Sequence, residues 1–247
     1  MKTLVYTFYQ EGIYEREILQ GLDAEKGSYE YRQFPDGESY LRIEDDVKDK
    51  DIILLLSLNQ PNERLPLLLF FANTMKSLGA KRVGLVAPYL GYMRQDTIFK
   101  PGEAVTSRFF AQFVSQYYDW LITVDPHLHR YHALNDIYSM PAFSIHSAPS
   151  IAHWIKTHVK NPVIIGPDSE SKQWVQEIAE LAHAPFDVLS KTRKGDRNIE
   201  VTGLQDAHVH NTPVIMDDII STARTMIGAV ELCRQVYENP PICIVHP

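Results

Sequence analysis

Short apolar runs that end in polar turns and are followed by longer stretches with helical spacing constrain this chain more than any other feature. Ile52–Ser57, Arg82–Ala87, Trp120–Val124, Pro162–Ile165 and Pro213–Met216 are apolar on both faces, the pattern of strands buried inside a parallel sheet. Pro61–Leu78, Thr106–Tyr118, Ser150–His158, Ser169–Leu181 and Thr222–Tyr237 have the length and spacing of helices, and Gly79, Pro88, Pro126 and Pro167 stand at the junctions. This β-α-β rhythm predicts an α/β fold, with mainly parallel sheets flanked by helices. In such folds ligands lie beyond the carboxyl ends of the strands.

The polar residues gather at those ends, in VAPYLGYMRQD, ITVDPHLH, IIGPDSES and VIMDDIIST. The first two precede and the last two follow Tyr138–Ser150, a stretch of Pro, Ser and small residues that reads as a linker. The chain therefore divides near residue 146, into 1–145 and 146–247, two similar α/β halves. Over 247 residues, 45% apolar content is enough for packed cores, and a net charge of −7 argues against a general nucleic-acid binder. Cys233 and Cys243 offer neither a disulfide framework nor a zinc set. The N-terminus has no signal-peptide pattern, and runs such as Leu65–Ala72 are far short of a membrane span. A cytoplasmic protein without membrane or nucleic-acid partners is expected.

The densest motif is Val214–Thr225, VIMDDIISTART: an apolar strand, two acids, a hydroxyl-rich turn and an amphipathic helix. Hydroxyls and backbone N–H groups at a helix start donate to phosphate, and Asp217 and Asp218 can accept from vicinal ribose hydroxyls. The plainer reading is a strand–helix junction in which Asp218 or Ser221 caps the helix. In Phe34-Pro35-Asp36-Gly37-Glu38 the acids stand two apart, placed to accept from an exocyclic amine, although such a turn alone is common at surfaces. Arg94-Gln95-Asp96 carries a guanidinium suited to a polyphosphate. Asp125-Pro126-His127-Leu128-His129 follows a strand, as Asp168 does in the other half, and His127 with Asp168 suits a magnesium–polyphosphate complex. Zinc on His127 and His129, with His132 near, is the lesser alternative for want of further ligands. Lys191–Arg197 reads as a basic loop between strands at Phe186–Leu189 and Asn198–Thr202, a solvated hairpin tip or a lid that brings cations onto a triphosphate.

In order and separation, FPDGESYLRI, PYLGYMRQD, PGEAVTSR, TVDPHLH, IIGPDSES, SKTR and VIMDDIISTART resemble the ribose-phosphate diphosphokinases, closest to the archaeal type. The resemblance spans nearly the whole chain. It implies two tandem phosphoribosyltransferase-like domains, an active site between them, a homo-oligomer that shares residues across subunits, ATP and ribose 5-phosphate as substrates, and Mg2+ as the ion. Phe34, Asp36 and Glu38 would then receive the adenine, and Arg94, Gln95 and Asp96 would belong to the ATP site. His127 and Asp168 would be metal ligands, and Lys191 and Arg193 the catalytic pair. Asp217 and Asp218 would hold the ribose hydroxyls, while Ser221, Thr222, Ala223, Arg224 and Thr225 would wrap the 5-phosphate.

The chain departs from the pattern in places. Ser221 stands where an acid is common, Arg224 where glycine is usual, Thr97 where a basic residue often follows RQD, and Ser169-Glu170 where a glycine pair is usual. The second domain is expected to be shortened at its C-terminus. A catalytically silent regulatory member and a phosphoribosyltransferase that consumes phosphoribosyl diphosphate are the other readings.

Overall fold

A computed structural model describes residues 2–9, 12–194, 198–202, 208–220 and 222–245; over 190–194 and 198–202 the description is of the backbone. The chain separates into two compact units, Met1–Ile145 and His146–Pro247.

In chain order, unit 1 contains β1 (Leu4–Thr7), α1 (Gly12–Gly21), β2 (Glu25–Lys26), β3 (Tyr29–Gln33), β4 (Ser39–Ile43), β5 (Asp51–Leu55), α2 (Pro61–Ser77), β6 (Arg82–Ala87), α3 (Thr106–Tyr117), β7 (Trp120–Val124) and β8 (Ala142–Ile145). The main sheet runs β2-β1-β5-β6-β7-β8 with every pairing parallel, and β3–β4 is a separate antiparallel hairpin. Alternation along the strands splits the core by face. Leu4, Tyr6, Ile52 and Leu54 pack with Leu67, Phe71 and Met75 of α2 and with Phe110 and Val114 of α3. Val5, Ile53 and Leu55 turn the other way, toward Ile18 and Leu19 of α1. Tyr6 is buried because its hydroxyl has somewhere to go: it donates to the Asp45 carboxylate at 2.8 Å.

Unit 2 contains α4 (Ala148–His158), β9 (Pro162–Gly166), a short 3-10 turn at Ser169–Ser171, α5 (Lys172–Ala182), β10 (Phe186–Val188), β11 (Ser190–Lys194), β12 (Asn198–Thr202), β13 (Thr212–Asp217), α6 (Arg224–Val236) and β14 (Ile242–Val245). Its parallel sheet runs β10-β9-β13-β14, and β11–β12 is an antiparallel hairpin. Ile164, Val214 and Met216 face α4 and α5, whereas Val163, Ile165 and Ile215 face Met226, Ala229 and Cys233 of α6. No helix among the described residues is long and apolar enough to cross a membrane.

Two expectations need correcting. Tyr138–Ser150 is not a linker: Ala142–Ile145 is strand β8, paired with β7 from Leu121↔Ala142 to Val124↔Ile145, and α4 already begins at Ala148. Pro141 and Ser147 flank a four-residue strand, interrupted by Ser144, that is too short to register as an apolar run. The basic stretch after Leu189 is not wholly loop either, because Ser190–Lys194 forms β11. An all-polar sequence, SKTRK, hides a strand that is defined by its pairing with β12.

Candidate active site

Each parallel sheet reverses its strand order once, and the crevice at such a reversal is where α/β sheets receive ligands. In unit 2 the reversal lies between β9 and β13. Asp168 follows β9 there, and Asp217 and Asp218 stand at the end of β13. Asp168 is fixed by two bonds with the turn it starts: Ser171 N donates to its Oδ1 at 3.3 Å, and Ser171 Oγ donates to its carbonyl at 2.6 Å. Gly166 permits this tight approach, since a Cβ there would lie 2.3 Å from Ser171 Oγ. Asp217 Oδ1 accepts from the Asp218 amide at 3.0 Å. Burial pushes the Asp217 carboxyl up to about 6, and the charges of Asp218 and Asp168 add to the shift. Crowded acids at a strand end are costly until a cation or hydroxyl donors arrive.

The loop after β13 leads into α6, whose N-cap, Ala223, takes the left-handed φ of 60° and makes no side-chain cap bond. The helix therefore starts at Arg224 rather than Thr222, and its first N–H groups have no side-chain acceptor from the cap. Thr222 and Arg224 are exposed, and Ala223 and Thr225 are part-buried beside them. Ser221 lies outside the described residues. Lys191 and Arg193 sit on β11, opposite Val201 and Ile199 of β12.

In unit 1 the reversal lies between β1 and β5, and a side chain occupies the space between the loops that follow them. Arg64 is 7% exposed, donates to the Ser57 carbonyl after β5, and stacks its guanidinium 4.3 Å from the centre of the Tyr9 ring after β1. The candidate nucleotide residues lie elsewhere in this unit. Phe34, Asp36 and Glu38 form the tip of the β3–β4 hairpin, where Phe34 N donates to Glu38 O at 2.8 Å, and Gly37 (φ 92°) makes the turn. Asp36 Oδ1 accepts from Glu38 N at 3.2 Å. The Arg32 guanidinium lies 4.6 Å from the centre of the Phe34 ring and 4.3 Å from that of Tyr40. Arg94 protrudes from the loop after β6, Gln95 is part-buried, and Asp96 is buried.

His127 follows β7, with its ring centre 3.9 Å from that of His129. Among the described residues no group of three or more His, Cys, Asp or Glu gathers as a metal cage.

Four loops at carboxyl ends hold non-glycine residues at positive φ: Gln60 (56°), Tyr92 (62°), Asp125 (35°) and Ala223 (60°). Such backbone persists only where its surroundings impose it, and it concentrates at working sites. Sequence reading missed this strain, since nothing in the residue types marks it. It also missed the clamp on Asp96: Arg130 Nη1 lies 2.7 Å from Asp96 Oδ1.

The N-terminal domain model of ribose phosphate pyrophosphokinase matches residues 5–117, and the phosphoribosyl transferase domain model matches 134–243. The ribose-phosphate pyrophosphokinase of Methanobrevibacter smithii is 34% identical over 232 residues, which cover 88% of this chain and 77% of that protein. The chain belongs to the ribose-phosphate pyrophosphokinase family. Another member, from Saccharolobus solfataricus, is 33% identical over 209 residues, covering 82% of this chain and 70% of its own. The fold agrees with a crystal structure of phosphoribosylpyrophosphate synthetase from Mycobacterium smegmatis at a TM-score of 0.85, with 22% identity over 98% of this chain and 80% of that one. Within the family frame, the acid pair after β13 and the hairpin tip of unit 1 fall on the motifs that carry the resemblance.

Proposed function

We propose that the protein transfers the β,γ-diphosphoryl group of ATP to the C1 hydroxyl of ribose 5-phosphate, giving phosphoribosyl diphosphate and AMP. The observation that carries this reading is the acid pair Asp217-Asp218 at the β9–β13 reversal, ahead of α6, whose N-cap Ala223 makes no side-chain cap bond. Asp217 and Asp218 accept hydrogen bonds from the ribose 2- and 3-hydroxyls. Thr222 and the first amides of α6 hold the 5-phosphate, with Thr225 beside them and the Arg224 charge near. The sugar is thereby oriented with its C1 hydroxyl free to attack.

On the nucleotide side, Phe34 stacks on the adenine and Asp36 or Glu38 accepts from its amine, while Arg94 and Gln95 bind phosphate oxygens. The C1 oxygen forms a bond to the β-phosphorus as the bond from that phosphorus to the α,β-bridging oxygen breaks, and AMP leaves with the electron pair. Charge accumulates on non-bridging oxygens, so positioned cations are what the reaction needs. Lys191 and Arg193 supply them. His127 in unit 1 and Asp168 in unit 2 are the residues that would ligate Mg2+, which would supply neutralising charge to the phosphates.

We also read the protein as cytoplasmic and as a homo-oligomer. Support for assembly comes from unit 1, where Leu65, Leu69, Phe70, Phe109 and Phe113 line an apolar cavity of about 550 Å3 on α2 and α3. Phe70 and Phe109 remain 42% and 60% exposed there. The test is AMP formation by purified protein from ATP with Mg2+. AMP that appears only when ribose 5-phosphate is added supports the proposal, and ATP left intact with both substrates present overturns it.

A further inference from the structure

We propose that Arg130 is a positioning residue for the nucleotide: through Asp96 it fixes the loop that presents Arg94 and Gln95. The inference rests on the reading of that loop as the polyphosphate-binding segment. The Asp96 side chain is 2% exposed, and Arg130, whose own side chain is half exposed, approaches it at 2.7 Å. A carboxylate this deeply buried is tolerated only with a counter-charge and hydrogen bonds.

Asp96 belongs to the loop after β6 and Arg130 to the loop after β7, so the pair is a strut between neighbouring strand ends. The same strut carries further bonds. The Tyr131 hydroxyl donates to the Asp96 carbonyl at 3.2 Å and lies 3.0 Å from Ser107 Oγ. The Ser107 amide donates to the Gln95 carbonyl at 3.3 Å. Phe99 covers the Arg130 guanidinium at 5.1 Å, and the amides of Phe99 and Lys100 donate to Glu103 Oε2 at 2.8 and 3.0 Å.

Residues on either side of exposed Arg94 and part-buried Gln95 are thus anchored. Met93 is buried in the core before Arg94, and Asp96 is clamped after Gln95. Arg94 and Gln95 lie on a short span held at both ends, from which Arg94 projects. Such anchoring is what polyphosphate positioning needs, because small displacements of positioning groups are costly to rate. Asp96 itself is then a buried anchor rather than a nucleotide contact, which revises the role that resemblance gave it.

The experiment compares steady-state kinetics of the parent with Arg130→Ala, Arg130→Lys and Asp96→Asn. The expected result is a rise in KM for ATP of about tenfold or more in Arg130→Ala, with KM for ribose 5-phosphate within about twofold of the parent. Arg130→Lys keeps the charge and recovers part of the loss. Asp96→Asn, which keeps the shape and removes the charge, reproduces the ATP effect if Arg130→Ala does not fold. An active parent whose Arg130→Ala and Asp96→Asn variants keep their KM for ATP, or move both substrates alike, overturns the inference alone. A parent that forms no AMP overturns the underlying reading as well.

Discussion

Asp168, just after β9, and Asp217, at the end of the neighbouring β13, work against each other: burial first, then the charges of Asp218 and Asp168, push the Asp217 carboxyl up to about 6. A folded-state pKa above the unfolded value of an acid means that the folded chain prefers the protonated form. Its stabilising preference is complete below the unfolded value near 3.8 and is lost as pH rises through about 6.

Asp217→Asn should therefore match the parent in stability near pH 4 and exceed it by ~1 kcal/mol at pH 8, after discounting for partial solvent screening. Urea midpoints at the two pH values measure this. The same variant should lose ribose 5-phosphate affinity, so that stability and binding move in opposite directions. Equal midpoints at pH 8 would mean that the crowding of acids carries no strain.

Lys191→Ala should lower kcat by about 100-fold or more while changing ATP-analogue affinity less than about threefold, since a cation that acts on developing charge contributes mainly in the transition state. Rapid-quench turnover and equilibrium dialysis separate the two quantities. Turnover equal to the parent's would remove Lys191 from the reaction.

At Ala223, φ of 60° imposes left-handed backbone on a residue with a Cβ. Ala223→Gly relieves about 1–2 kcal/mol of that strain and gives back part of it as added freedom in the unfolded chain. A net gain of ~0.5 kcal/mol is expected by thermal unfolding, with ribose 5-phosphate affinity within about twofold. Destabilisation would show that the methyl group packs in a needed way.

Gly84 faces Trp120 across the β6–β7 pair, and a Cβ there would stand 2.0 Å from the indole. Gly84→Ala should cost about 2 kcal/mol by forcing the ring aside, read as a shift in denaturant midpoint. Because the clash lies at the start of the strands rather than at their carboxyl ends, kcat per folded molecule should stay unchanged.

The strands that were legible in the sequence are those buried on both faces. Ile52–Ser57 and Arg82–Ala87 became β5 and β6 with boundaries moved by two residues at most. β8 escaped notice because only four residues pair, with Phe143 and Ile145 exposed on the sheet's edge. β11 was taken for loop because its residues are basic and polar, and hairpin pairing is a relation between segments that neither segment carries alone. The acids at Asp168 and Asp217-Asp218 were legible as polar interruptions after apolar runs. Arg130 was not, since a single arginine after HLH looks like any solvated one until the fold lays Asp96 beside it.

The most direct measurement of the central claim is the phosphorus spectrum of a reaction containing the protein, Mg2+, ATP and ribose 5-phosphate. Equal amounts of AMP and a sugar bearing both a 5-phosphate and a C1 diphosphate are expected, with no ADP. ADP with a singly phosphorylated C1, or ATP unchanged under conditions in which the protein is folded, would contradict diphosphoryl transfer.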